Sequence, residues 1–308
     1  MTTALICHPE FLGHIPPPGH PERVARYDAV LGALHDMDLL QVRAPLAAEE
    51  DILRVHPRSY VDDLKRFAPE GGWRAIDSDT YLSAGSLAAA WRAVGAATRG
   101  VDMVLAGEAA NAFALTRPPG HHAEAETAMG FCLFGTVAAA AKYALEHHGL
   151  ERVAILDFDV HHGNGTQALV EDDPRILFCS SHEWPLWPGT GAATDTGPHG
   201  TVVNMTLPTG TDGAGLIAAW ERDAFPRIAA HKPQLILVSA GFDAHRDDPL
   251  AGLRLETEDF ATLTGRICDL ADHLCSGRVV SALEGGYDLD ALAAGAAAHV
   301  RTLEERGR

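Results

Sequence analysis

The residues with the most chemistry in them sit in a few short segments. Asp159-Val160-His161 sets a carboxylate and an imidazole two residues apart. In an extended chain such residues point to the same face, so both can grip one ion. Asp243, after the apolar run Leu235 to Ala240, offers a third ligand from elsewhere in the chain. Two carboxylates and one imidazole leave positions open for water and substrate, the pattern of a catalytic rather than a closed structural zinc. His121 and His122 follow a Pro-Pro-Gly turn, where burying two unpaired imidazoles would be costly. Beside a metal they can act as general base and acid, because histidine titrates near neutrality. Asp157 and Asn164 flank the metal ligands and are placed to accept from the two rings. A carboxylate partner favours the imidazolium, whereas an amide leaves its histidine closer to an ordinary pKa. Tyr287 follows Gly285-Gly286, which lets the backbone approach closely and turn a phenol inward as an oxyanion donor.

Each of these residues also has a plainer reading. Asp159 could cap a turn, His161 could be a buried hydrogen-bonded histidine, and Asp243 could pair with Arg246. Asp157 could hold a structural cation, and Tyr287 could pack over a helix start. Their convergence weighs against the plain readings. His147-His148, just before Gly149, reads as the exposed end of a helix.

The elements that must position these groups alternate along the chain. Short apolar runs predict strands at Ala4 to Cys7, Ala112 to Thr116, Val153 to Phe158, Ile176 to Ser180, Val202 to Leu207, Leu235 to Ala240 and Val279 to Leu283. Their near-continuous Val/Ile/Leu/Ala character suits strands buried on both faces. Helices are predicted at Pro21 to His35, Glu49 to His56, Ser59 to Phe67, Ala84 to Ala106, Gly130 to His148, Ala214 to Ala230, Glu256 to Cys275 and Asp288 to Glu305. The alternation argues a doubly wound α/β domain. No repeat or linker divides the chain, so residues 1–308 read as one domain. The candidate residues fall at strand carboxyl ends, where open parallel sheets gather their ligand sites.

Composition narrows the class. The chain has 308 residues, 46% hydrophobic and 21% charged, as a folded globule requires. Its 24 basic against 42 acidic residues leave a net charge of −18, which repels phosphate backbones and attracts cations. No nucleic-acid or membrane partner is expected. The start has no signal-peptide pattern and no apolar run is long enough for a membrane span. Five scattered cysteines, none in a CxxC pair, fit a reducing, cytoplasmic location. A G-x-S-x-G elbow, a Walker A loop, a dinucleotide fingerprint and zinc-finger spacing are all absent. Metal-assisted hydrolysis is what remains.

Taken together these segments resemble the zinc-dependent histone deacetylase family, in its bacterial class II-like and acetylpolyamine amidohydrolase branch. The matching stretches are His20-Pro-Glu-Arg23, Asp79-Thr-Tyr81, Arg117-Pro-Pro-Gly-His-His122, the run Asp157 to Gly165, Pro188-Gly-Thr-Gly191, the run Ser239 to His245, and Glu284-Gly-Gly-Tyr287. They span nearly the whole chain in the family's order. The resemblance implies a single-domain arginase/deacetylase α/β fold, with a central, mostly parallel sheet of about eight strands and helices on both faces. It implies hydrolysis of an N-acetyl amide on a small molecule or peptide, with one Zn2+ per chain on Asp159, His161 and Asp243. His121 and His122 would be the tandem pair oriented by Asp157 and Asn164, the latter where class I members carry Asp, and Tyr287 the oxyanion donor. Gly130, Phe131, Trp187, Leu250 and Gly286 fall where the family contacts its acyl-amine substrate. A structural K+ is expected near Asp157, Asp159, His161, Ser180 and Ser181, and Arg23 matches an arginine on the interior acetate path. Leu250, following Asp248-Pro249, is the residue type of acetyl-lysine deacetylases rather than the acidic gatekeeper of acetylpolyamine enzymes, although the net charge leans toward polyamines. An arginase-like dimetal hydrolase is the alternative on the same fold, and would need further carboxylates near Gly163-Asn164. A catalytically dead binding module is disfavoured by the intact set of ligands, histidines and tyrosine. The sequence leaves homo-oligomerisation open.

Overall fold

The apolar runs become the buried strands of one sheet in the computed structural model, which describes residues 2–308. In chain order the strands are β1 (Ala4–Cys7), β2 (Leu40–Arg43), β3 (Trp73–Ala75), β4 (Tyr81–Ser83), β5 (Ala112–Ala114), β6 (Val153–Asp157), β7 (Ile176–Glu183), β8 (Val202–Leu207), β9 (Leu235–Ala240) and β10 (Val279–Leu283). Eight of them form a sheet in the order β2-β1-β5-β10-β9-β6-β7-β8, with every neighbouring pair parallel. β3 and β4 make a separate antiparallel hairpin. The helices are α1 (Ala25–Ala33), α2 (Glu49–Leu53), α3 (Arg58–Phe67), α4 (Ser86–Ala106), α5 (Thr136–Glu146), α6 (Asn164–Val170), α7 (Gly213–Ala219), α8 (Phe225–His231), α9 (Thr257–Cys275) and α10 (Leu289–Gly307).

Helices cover both faces, as adjacent residues of one strand show. On α4, a side chain at Gly100 would meet Val280 at 2.7 Å, so that helix lies against the Val280 face of β10. From α10, His299 bonds the neighbouring Ser281 hydroxyl at 2.9 Å, on the opposite face. Successive strand residues point to opposite sides, and the sheet is buried between the two layers. No helix of the described residues is long and apolar enough to cross a membrane. The five cysteines are free thiols.

The chain reaches the sheet edges from β1 and β6 and returns to insert β9 and β10 between β5 and β6. The carboxyl ends of β5, β10, β9 and β6 therefore lie side by side, which is where the candidate residues emerge.

Several boundaries differ from the sequence expectation. β2 is a largely exposed edge strand in which apolar and polar residues alternate, Leu40-Gln41-Val42-Arg43, without the apolar continuity that marks a buried one. The helix expected from Gly130 begins only at Thr136, because Gly130 and Phe131 both take positive φ, 55° and 69°. The helix expected over Ala214 to Ala230 is α7 and α8 joined by a π turn, Trp220–Ala224. Pro226 has no N–H to continue an α ladder there. α6 begins inside the motif read as an active-site loop.

Beneath the site lies a fully buried ionic cluster. Arg117 grips Glu22 through two bonds of 2.6 and 2.8 Å, and Arg26 reaches the same carboxylate at 2.9 Å. Burial pushes the Glu22 carboxyl up, but the Arg117 charge, the His14 hydrogen bond and Arg26 together hold it far below the usual range. A depressed carboxyl contributes stability above its unfolded pKa and loses it as pH falls. Glu22→Ala would strand two buried guanidinium groups and should lower unfolding free energy by about 3–5 kcal/mol, measured by denaturant titration near neutral pH.

The same cluster corrects one expectation. Arg23 is exposed, whereas Arg26 is fully buried. Arg23 precedes the first turn of α1, and the inward face of that helix starts at Arg26 and Tyr27. Arg26 is the arginine facing the interior, donating to the carbonyls of Gly286 at 2.6 Å and Glu284 at 2.5 Å.

Candidate active site

The three expected ligands meet. One ligand atom each from Asp159, His161 and Asp243 lies within 4.8 Å of the others, and all three residues are buried. His161 Nδ1 stands 3.1 Å from Asp159 Oδ1 and 3.2 Å from Asp243 Oδ2. Asp243 Oδ2 is buried and makes no well-formed hydrogen bond, with His161 Nδ1 beside it at 3.2 Å. Its second oxygen is held by the Val160 N–H at 3.0 Å, and Asp159 Oδ2 by the Gly285 N–H at 2.8 Å. Gly285 is required for that approach: a Cβ there would sit 2.1 Å from Asp243 Oδ2. The donor set suits a zinc-like divalent cation.

The two histidines have different partners. His121 Nδ1 donates to Asp157 Oδ2 at 3.0 Å, and His122 Nδ1 pairs with Asn164 Oδ1 at 2.8 Å. Burial pushes the His121 pKa down, yet the negative charges of Asp159, Asp157 and Glu284 outweigh it and raise it well above the ordinary value. His122 falls well below, through burial and the positive charges of His121 and His161. The two rings are thus shifted in opposite directions, His121 toward the protonated form and His122 toward the neutral one. The expectation of a nearly ordinary value for His122 is corrected here, because an amide partner alone says nothing of its neighbours' charges.

Tyr287 shares a pocket of about 390 Å³ with His122, His161, Gly130, Phe131, Trp187 and Leu250. Burial and the charges of Asp243 and Asp159 push its phenol well up, against the opposing Arg26 charge, so it remains a donor. The Tyr287 N–H is anchored on Asp248 Oδ2 at 2.7 Å. His122 and Trp187 pack edge to face with centroids 4.6 Å apart, and Phe131 meets Tyr287 in the same way at 5.6 Å. Gly130 lets that wall close, since a Cβ there would lie 2.6 Å from the His122 ring. Trp187 is 42% and Leu250 36% exposed, consistent with the mouth of the pocket. Gly286 does not line the pocket. With φ of 122° and its carbonyl held by Arg26, it turns the chain so that Tyr287 enters.

Ser180 Oγ lies 2.9 Å from His182 Nδ1, while His182 Nε2 lies 2.9 Å from the Gly191 carbonyl. That carbonyl only accepts, so Nε2 carries the ring proton and the serine donates to Nδ1. The serine's lone pairs are left free. Ser181 Oγ is buried without a partner. His147 and His148 are exposed as expected.

Sequence reasoning missed the supports. Glu284 accepts from the Gly120 N–H at 2.6 Å, the His121 N–H at 3.2 Å and the Ser239 hydroxyl at 3.0 Å, with its carboxyl pushed up to about 7 mainly by burial. Its place in Glu284-Gly-Gly-Tyr287 was visible, but not what it would hold. His20, Asp79 and Tyr81 also border the pocket, and only their motifs hinted at it.

At the carboxyl ends of a parallel sheet, then, a buried Asp-His-Asp cluster that could hold a metal ion stands beside a tandem histidine pair. The profile of the histone deacetylase domain matches residues 20–303. Over 299 residues the chain is 38% identical to a protein of Archaeoglobus fulgidus named a probable deacetylase, covering 94% of this chain and 82% of that one. It is 40% identical over 286 residues to the histone deacetylase-like amidohydrolase of Pseudomonas aeruginosa, covering 89% and 75%. The crystal structure of the HDA15 HD domain superposes with a TM-score of 0.91 at 32% identity, covering 99% of this chain and 90% of that one. The chain belongs to the histone deacetylase family.

Proposed function

We propose that the protein is a zinc-dependent deacetylase of N-acetylated amines, acting on acetyl-lysine in peptides or proteins. The observation that carries this is the buried convergence of Asp159, His161 and Asp243 in the pocket that His122 and Tyr287 line. Asp159, His161 and Asp243 would hold the ion. When bound, zinc would polarise the amide carbonyl and lower the pKa of a water toward roughly 7. His122 takes the water's proton at Nε2 and returns it to the leaving amine. His121, charged and fixed by Asp157, stabilises the negative charge that develops. Tyr287 donates to the oxyanion. Gly130, Phe131 and Trp187 would clasp the acyl-bearing chain between aromatic faces. The free lone pairs of Ser180 and the partnerless Ser181 hydroxyl support a structural K+ at the expected position, with Asp157, Asp159 and His161.

One ligand cluster is found among the described residues, and the Asn164 oxygen is taken up by the His122 ring. Both favour one metal over an arginase-like pair.

Leu250 at the mouth supports acetyl-lysine over acetylpolyamine, because it sets an apolar side chain where an acidic one would meet a distal ammonium, although Asp79 borders the same pocket. The zinc-loaded protein should turn over an acetyl-lysine peptide with higher kcat/KM than N8-acetylspermidine. Leu250→Glu should move that ratio toward the polyamine by about tenfold, the ~1.4 kcal/mol of one new charge contact. Preference of the unmodified protein for N8-acetylspermidine would overturn the substrate assignment while leaving the chemistry in place.

A further inference from the structure

The amide of Asn164 has two orientations of nearly the same shape, and only one makes His122 a base. If Oδ1 faces His122, the ring must carry its proton on Nδ1 and present a bare Nε2 to the pocket. If the amide nitrogen faces it, the proton sits on Nε2 and the base is lost. Asn164 alone cannot decide between them.

Its other neighbours can. The Asn164 amide nitrogen lies 2.8 Å from Glu124 Oε1 and 3.4 Å from Met129 Sδ. A carboxylate and a thioether only accept, so the NH2 end is committed to that side and Oδ1 to His122, at 2.8 Å. Glu124 is itself held by its turn. Its N–H donates to the Thr127 carbonyl at 3.0 Å, and the next residue's carbonyl, of Ala125, lies 3.0 Å from His56 Nδ1. His56 is buried, and its Nε2 accepts from the Gly135 N–H at 2.9 Å, so Nδ1 must be the donor to Ala125. The turn is thereby pinned from below, and the carboxylate is presented from a fixed backbone.

We propose that Glu124 is a positioning residue that sets the tautomer of His122 through Asn164, a role that rests on His122 being the base of the deacetylation proposed above. The chain Glu124–Asn164–His122 replaces the direct carboxylate partner that His121 has in Asp157. It orients the ring without placing a full negative charge against it.

The test is a cycle of four zinc-loaded proteins: unmodified, Glu124→Gln, Asn164→Asp and the double variant. Each is assayed for acetate release and examined by 15N–1H NMR of the His122 ring. Asn164→Asp alone sets two carboxylates against each other and should cost about 100-fold in kcat. In the double variant the glutamine amide donates to the carboxylate introduced at position 164, which still accepts from His122, and kcat should recover to within about tenfold of the unmodified protein. Glu124→Gln alone frees the amide to turn and should cost about tenfold in kcat at little change in KM, with mixed His122 tautomers. Failure of the double variant to recover, or a His122 ring protonated on Nε2 in the unmodified protein, would overturn the proposal. That spectrum decides even if a variant folds poorly. Absence of deacetylation with an Nδ1–H tautomer that shifts in Glu124→Gln would sink the enzymatic reading and leave the positioning role standing.

Discussion

Tyr287→Phe should lower kcat by about 30- to 1000-fold, the ~2–4 kcal/mol that one oxyanion donor supplies, while metal content stays unchanged. The phenol enters the pocket because Gly286 turns the chain and Asp248 anchors the Tyr287 N–H. Burial and two nearby carboxylates keep it protonated, so at neutral pH it donates and never competes as a phenolate. Phenylalanine keeps the ring's contact with Phe131 and removes only the hydroxyl. Single-turnover kinetics beside metal analysis checks this, and a variant with full turnover would remove Tyr287 from the mechanism.

A larger loss is expected from Asp243→Ala. Asp243 supplies the one cluster oxygen that makes no well-formed hydrogen bond, and its other oxygen braces the Val160 N–H between the two remaining ligands. Removing it deletes a ligand and loosens the segment bearing Asp159 and His161. The fall in zinc affinity should exceed the roughly 10–100-fold typical of lost outer partners, and activity should drop to background. Competition with a fluorescent chelator measures the affinity. Retention of one tightly bound zinc would show that Asp243 is not a ligand.

The centre was legible because strand ends carry few residue types and the sheet fixes where they go. Asp159, His161, Asp243, His121, His122 and Tyr287 could be assigned to strand carboxyl ends from the apolar runs before them and from their chemistry, and the family resemblance supplied their roles. The central strands β6, β9 and β10 announced themselves by nearly continuous apolar runs. What escaped the sequence depends on neighbours distant in the chain. The exposed edge strand β2 is paired through its backbone, which no side-chain pattern records. Gly130 and Phe131 looked helical until their left-handed backbone closed the wall over His122, and a non-glycine residue at φ of 69° is strain that only tertiary packing can impose. Arg23 and Arg26 differ in role by one helical face, set by where α1 begins. Glu284 and Glu124 read as ordinary acids, since their importance lies in the N–H groups they meet from other segments.

The central claim is that one metal ion on Asp159, His161 and Asp243 drives amide hydrolysis. It is tested most directly by stripping the protein with a chelator, titrating zinc back, and following bound metal and acetate release from an acetyl-lysine peptide together. Activity should be absent at the start, rise linearly, and saturate at one zinc per chain. Undiminished acetate release from the stripped protein, or activity appearing only with two ions bound, would contradict it.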